Sequence, residues 1–162
     1  MNPKVFPRIF KQKVIDNFIQ EWFSSIENST VLENYSLVKK QFEYENYLDI
    51  LPCNLRFFYT RLRLSVHPLR VQTGRYDRNR IPKNERYCLC CNSGDIEDEF
   101  HFICICSCFV DLRKQYLKKH YYQRPSMIKF LELFSSHNKT VLYKVSKYIK
   151  EALEIRKTII YV

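Results

Sequence analysis

The strongest constraint on this 162-residue chain is that six of its seven cysteines fall between Cys88 and Cys108, with one register reading Cys88-x2-Cys91-x9-His101-x4-Cys106. A C-x2-C pair closes a tight turn that aims two thiolates at one point, and zinc takes about four N or S ligands in a tetrahedron. The window therefore predicts one Zn2+ held by Cys88, Cys91, His101 and Cys106. It contains more candidates than one ion needs, so spacing must choose among them. Cys90 adjoins Cys91 and would point elsewhere in a turn. Cys104, three residues after His101, stands as an alternative to Cys106, and Cys108 reads as the start of the next helix. A ligating histidine usually donates its other ring N–H to a carboxylate or carbonyl. The run Asp95, Glu97, Asp98, Glu99 supplies candidates for that role, although a solvated turn is the plainer reading for any single acid.

Six cysteines can instead make three disulfides. The N-terminal sequence MNPKVFPRIFKQK lacks the apolar stretch of a signal peptide, which favours metal over disulfides and predicts an intracellular location, nucleus or cytoplasm. No run approaches the ~18 apolar residues of a membrane span, so no membrane partner is expected.

A formal net charge of +10 points to a polyanionic partner. Between Arg61 and Arg86, seven arginines and Lys83 against Asp77 and Glu85 leave a net of +6. More than half of the excess thus lies directly before the cysteines. Arg61, Arg63, Arg70, Arg75, Arg78, Arg80, Lys83 and Arg86 are the expected phosphate contacts, with Tyr76 and Tyr87 available to stack on unpaired bases of RNA or DNA. A second basic stretch, Arg113, Lys114, Lys118, Lys119, His120, Tyr121, Tyr122 and Arg124, has similar character but also fits an ordinary helix exterior.

Only two glycines occur, Gly74 and Gly94, which favours helices over tight turns. Phe10, Val14, Phe18, Trp22 and Ile26 recur every four residues, and Ile9, Ile15, Ile19 and Phe23 widen the stripe, predicting an amphipathic helix with Pro7 in its first turn. Thr30-x-x-Glu33 matches a capping box, followed by Val31, Tyr35, Val38 and Phe42 at helical spacing. After Pro52, Leu55, Phe58, Tyr59 and Leu62 predict a third helix whose other face carries Arg56, Arg61 and Arg63. Cys53 reads as a small buried residue.

From His67 to Arg86 periodicity gives way to a basic connecting loop with room for one short strand. Helices then follow around Phe109, Leu112 and Tyr116, around Met127, Phe130, Leu131 and Phe134, and from Val141 to Ile159, where the stripe reads as core and includes Arg156. The expected fold is mainly α, a small helical domain with an inserted CCHC zinc-binding knuckle and a basic loop. Its segments are N-terminal helices (1–66), basic loop (67–87), zinc-binding motif (88–108) and C-terminal helices (109–162), forming one compact domain overall.

Zinc enzymes and RING modules need other patterns. A deaminase needs His-x-Glu with Pro-Cys-x-x-Cys, a zinc protease needs His-Glu-x-x-His, and two zinc ions need about eight ligands. The segments LRVQTGRY (69–76), NERYCLCC (84–91) and IEDEFHF (96–102) resemble the C-terminal zinc-binding region of non-LTR retrotransposon reverse transcriptases. That resemblance implies Cys88, Cys91, His101 and Cys106 as ligands, binding of the element's RNA or its DNA target, and a place in a retrotransposon ribonucleoprotein. The extra Cys90, Cys104 and Cys108 depart from the pattern. A polymerase of that kind needs paired carboxylates for two metal ions, and no such Asp-Asp pair occurs here. The expectation is a non-catalytic nucleic-acid-binding module, against a structural or protein-interaction module supported by the long C-terminal stripe.

Overall fold

The computed structural model describes residues 6–161. Residues 1–5 and 162, assigned above to the terminal helical segments, lie outside the described residues. The chain is mainly helical, as expected. In order, the helices are α1 (Phe6–Glu27), α2 (Glu33–Val38), α3 (Tyr47–Ile50), α4 (Cys53–Arg63), α5 (Arg70–Thr73), α6 (Val110–Tyr116), α7 (Lys119–Tyr122), α8 (Met127–Phe134) and α9 (Lys139–Tyr161). No strand forms among the described residues, where the only sheet-like pairing is the antiparallel bridge between Tyr87 and Ile96. Nor is any described helix long and apolar enough to cross a membrane.

α9 is the axis of the core. Leu142, Val145, Tyr148, Ile149 and Ala152 are buried along it, packed chiefly against α4 and α6. α4 answers with Leu55, Tyr59 and Leu62. Burying a side chain such as Leu62 or Ile149 contributes roughly 1.5–3 kcal/mol. The two buried tyrosines also place their hydroxyls: Tyr148 donates to the Phe102 carbonyl at 2.7 Å and Tyr59 to that of Phe134 at 3.1 Å. The C-terminal stripe is therefore core. α8 begins at Ser126, whose hydroxyl accepts from the Lys129 amide at 3.4 Å, a side-chain N-cap.

α1 forms where expected, but its stripe does not become a buried face. A repeat of four residues on a helix advancing about 100° per residue winds by roughly 40° per repeat. The apolar positions consequently spiral around α1. Only the C-terminal end meets the body, with Ile26 buried and Trp22 and Phe18 edge-on to Phe42 at 5.2 and 5.5 Å. Phe6, Phe10 and Val14 remain exposed.

The expected capping box is not made. Leu32, not Thr30, occupies the N-cap of α2 and provides no side-chain cap. Thr30 is engaged elsewhere, since its hydroxyl and carbonyl oxygens accept from the Arg75 guanidinium at 3.3 and 2.6 Å. α2 ends at Val38, before Phe42. Cys53, expected inside, is exposed in the first turn of α4.

Residues 67–87 are not one irregular loop. They contain α5 and a 3-10 turn at Lys83–Glu85. Gly74 sits where a β-carbon would fall 2.9 Å from Cγ of Arg86, so the missing side chain makes room for the arginine stem.

Candidate metal centre

Two local devices bring the ligand candidates together. The first is a tight loop: the Tyr87–Ile96 bridge and the Cys88 N–H bond to the Asp95 carbonyl at 2.9 Å close the chain on itself. Gly94, with φ of +74°, takes the left-handed position that a side chain disfavours. The second is a π-helical turn at His101–Ile105, in which the Cys106 amide donates to the His101 carbonyl at 2.8 Å. On an α-helix, residues five apart differ by about 140° in direction. The i→i+5 closure of a π turn brings them to the same side, and this gives His-x4-Cys a shared target.

Cys88, Cys91, His101 and Cys106 place their ligating atoms within 4.8 Å of one another and can hold a metal ion. Sγ of Cys88 lies 3.9 Å from Sγ of Cys106, and Sγ of Cys91 lies 3.3 Å from Nε2 of His101. All four residues are buried. Cys106 belongs to this group and Cys104 does not. Cys104 is a core residue, 3% exposed.

Proton affinities split within the group, with the Cys88 and Cys91 thiols below the ordinary value and Cys106 above it. The hydrogen bond from Cys106 brings the Cys88 thiol down to about 3, with further help from His101. The same bond holds the Cys106 proton in place, raising its pKa. Burial lowers the proton affinity of His101, but hydrogen bonds to Cys88 and Cys91 outweigh it and raise the imidazole to about 9. Burial pushes both bystanders, Cys90 and Cys104, up to about 12, so they stay protonated thiols.

The acidic run contributes in a way its composition did not reveal. Asp95 approaches Nδ1 of His101 at 3.5 Å, too loosely to satisfy that buried nitrogen, which has no hydrogen-bond partner. It is the acid placed to orient the ring. Asp98 Oδ1 accepts from the His101 amide at 2.7 Å. Glu97 and Glu99 are not solvated, being 1% and 3% exposed. Glu99 accepts from Asn34 at 2.7 Å and Ser65 at 2.8 Å, and pairs with His67 at 2.7 Å. This also accounts for Ser65, which holds a positive φ of 54° just past α4. Glu97 bonds Arg156 of α9 through both oxygens and accepts the Arg70 amide at 2.7 Å. Cys88, Cys90 and Glu97 form a second cluster, but those bonds already occupy both carboxylate oxygens of Glu97. Cys108, in a 3-10 turn just before α6, donates to the Cys90 carbonyl at 2.6 Å.

The expected phosphate contacts separate into three sets. Arg63 is buried, bonded to Glu45 at 3.0 Å and to the Phe134 carbonyl at 2.6 Å. Arg86 is buried and donates to the carbonyls of Ile81 and Val71 at 2.9 and 2.6 Å. Neither reaches solvent as a phosphate ligand must. Arg70 pairs with Asp77 at 2.7 Å, Lys83 pairs with Glu33, and Arg75 holds Thr30. Arg61, Arg78 and Arg80 are exposed with no carboxylate within 4 Å among the described residues. Tyr76 and Tyr87 are exposed, at 83% and 50%. In the second basic stretch, Arg113 turns inward and donates to the carbonyls of Ile105 and Cys106, behind the cysteine cluster.

The chain matches no protein-family model, no curated protein and no solved structure.

Proposed function

We propose that this chain is a non-catalytic zinc-binding module that binds RNA or DNA, of the kind found at the C-terminus of non-LTR retrotransposon reverse transcriptases. The observation that carries the reading is the joint at Glu97 between metal loop and basic segment. Its amide donates to the Arg86 carbonyl at 2.9 Å, its carbonyl accepts from Val71 at 3.1 Å, and its carboxylate receives the Arg70 amide. Metal in the Cys88–Cys106 pocket would fix this joint and with it the segment bearing Arg78, Arg80, Tyr76 and Tyr87.

Zinc is favoured by both donor set and spacing. Zn–S bonds of about 2.3 Å and Zn–N bonds of about 2.0–2.1 Å in a tetrahedron put sulfurs about 3.8 Å apart and sulfur and nitrogen about 3.6 Å apart. The distances of 3.9 and 3.3 Å are within a few tenths of an ångström of these. Cys88, Cys91 and Cys106 would bind as thiolates, and His101 through Nε2 with Asp95 drawn to Nδ1. The exposed cations would contact phosphates, and the exposed tyrosines would stack on unpaired bases. The competing protein-interaction reading loses its main support, because the C-terminal stripe is occupied by the core.

Fluorescence anisotropy with labelled RNA, single-stranded DNA and duplex DNA across a salt series tests the proposal. The expected result is a linear fall of log affinity with log salt, about −0.7 per phosphate contact for single strands, and loss of binding with zinc chelation. Salt-independent or undetectable binding to all three overturns it.

A further inference from the structure

Resting on the nucleic-acid reading, we infer that the groove between α4 and the last turns of α9 receives one unpaired base of a bound single strand, with the adjoining phosphate held by Arg61 and Lys157. The groove has a volume of about 410 Å3, within the range of small-ligand sites. Phe58, Pro68, Leu153 and Tyr161 make its apolar walls, and Arg61, Lys157 and Glu154 stand among its lining residues. The buried groups beneath already have partners, Glu97 for Arg156 and Glu99 for His67. An occupant therefore meets an apolar slot with two free cations against one carboxylate, a setting for an aromatic ring that carries an anion.

Arg61 is held ready for that anion. Its Nε donates to the Val66 carbonyl at 2.7 Å and its guanidinium lies 5.2 Å from the centre of the Phe57 ring. Its terminal nitrogens have no hydrogen-bond acceptor among the described residues, leaving the outer fork open to a phosphate. Lys157 has neither an ion pair nor a hydrogen bond from its ammonium among the described residues. A duplex cannot present a base to this slot, because its bases are paired and stacked. A single strand can, and stacking on Tyr161 and Phe58 is indifferent to base identity.

The test compares wild type with Leu153→Trp, which fills the groove, and Tyr161→Ala, at the exposed end of α9. Probes are a labelled 12-nucleotide single-stranded RNA, the same strand with its bases removed from a central tract, and the matching duplex. Both variants should weaken binding of the intact strand by roughly 5- to 100-fold, the effect of one lost stacked base. The salt slope and duplex affinity should stay unchanged, and the abasic strand should bind wild type at least as weakly as the intact strand binds the variants, with no further loss on Tyr161→Ala. Arg61→Gln should instead reduce the slope by about one phosphate contact.

If wild type binds the strand with its salt slope while Leu153→Trp and Tyr161→Ala match it, the groove assignment fails and the proposed function stands. If no nucleic acid binds wild type, both fail. Uridine monophosphate tight enough to compete with the strand at equal concentration would mark a free-nucleotide pocket and overturn the strand subsite. Should Leu153→Trp lose the native circular dichroism spectrum, Tyr161→Ala alone decides, since its side chain is 75% exposed.

Discussion

Glu97 and Arg156, 59 residues apart, form a doubly bonded ion pair, Nε to Oε1 at 2.6 Å and Nη2 to Oε2 at 2.7 Å, with both side chains nearly excluded from solvent. The pair fastens the cysteine loop to α9, and Glu97 also carries the backbone joint to the basic segment. Removing one partner of a buried pair leaves an uncompensated charge and costs about 3–5 kcal/mol. Glu97→Gln and Arg156→Met should each lower the free energy of urea unfolding by that order. The double variant should lose less than the sum of the singles, because each single strands the other's partner. Additive losses in a double-mutant cycle would show that the two residues act separately.

Zinc content would distinguish the proposed ligands from the neighbouring thiols. Measured on purified protein, one zinc per chain is expected for wild type and for Cys90→Ser, Cys104→Ser and Cys108→Ser, and loss of zinc for Cys106→Ser. Asp95→Asn should keep the stoichiometry while weakening affinity by about 10- to 100-fold, as outer-shell partners of ligating histidines do. Zinc lost with Cys104→Ser and retained with Cys106→Ser would reverse the assignment of the fourth ligand.

That Cys88, Cys91, His101 and Cys106 come together was legible because their spacing is local: a two-residue gap makes a turn, and a four-residue gap requires the π closure between His101 and Cys106. The main helices were legible from their apolar periodicity. The burial of Glu97 and Glu99 was not, because Arg156, His67 and Asn34 approach only after the chain folds back over 59, 32 and 65 residues. One clue was available, since Arg156 interrupts an otherwise apolar stripe on α9, and a charge on a buried face requires a counter-charge. The stripe of α1 misled for a geometric reason, as a strict four-residue repeat resembles helical periodicity while winding away from any single face.

The Glu99 cluster gives the fold an acid limit. Burial raises the proton affinity of this carboxyl, but the hydrogen bond and charge of His67, with the Ser65 hydroxyl, outweigh it and hold its pKa below the ordinary value. A carboxylate depressed in the folded state contributes stability that is fully present above its unfolded pKa of about 4.3 and is lost as pH falls through the lower folded value. The stability difference between wild type and Glu99→Gln, from urea unfolding, should therefore be constant from pH 7 to about 5 and shrink below about 4.3. Asp98, raised by burial, contributes with the opposite sign, so Asp98→Asn serves as the control. A difference that widens on acidification would contradict the assignment.

The arginines of the basic segment should fall into two experimental classes according to their partners. The side chains of Arg78 and Arg80 are exposed and without hydrogen-bond or carboxylate partners among the described residues, so replacing either with Ala removes at most a phosphate contact. Unfolding free energy should stay within about 0.5 kcal/mol of wild type, and the salt slope for single-stranded RNA should drop by about 0.7 per substitution. Arg63 and Arg86 are buried, Arg63 bonded to Glu45 and the Phe134 carbonyl and Arg86 to the carbonyls of Ile81 and Val71. Arg63→Ala also removes a guanidinium lying 5.2 Å from the Tyr47 ring, and Arg86→Ala empties the space that Gly74 provides. Each should cost about 2–5 kcal/mol of stability through unpaired buried partners, while the salt slope of the remaining folded protein stays near wild type. Paired measurements of slope and stability on these four variants decide the matter. A slope that falls for Arg63→Ala or Arg86→Ala without loss of stability would place those side chains on the nucleic acid instead of inside the fold.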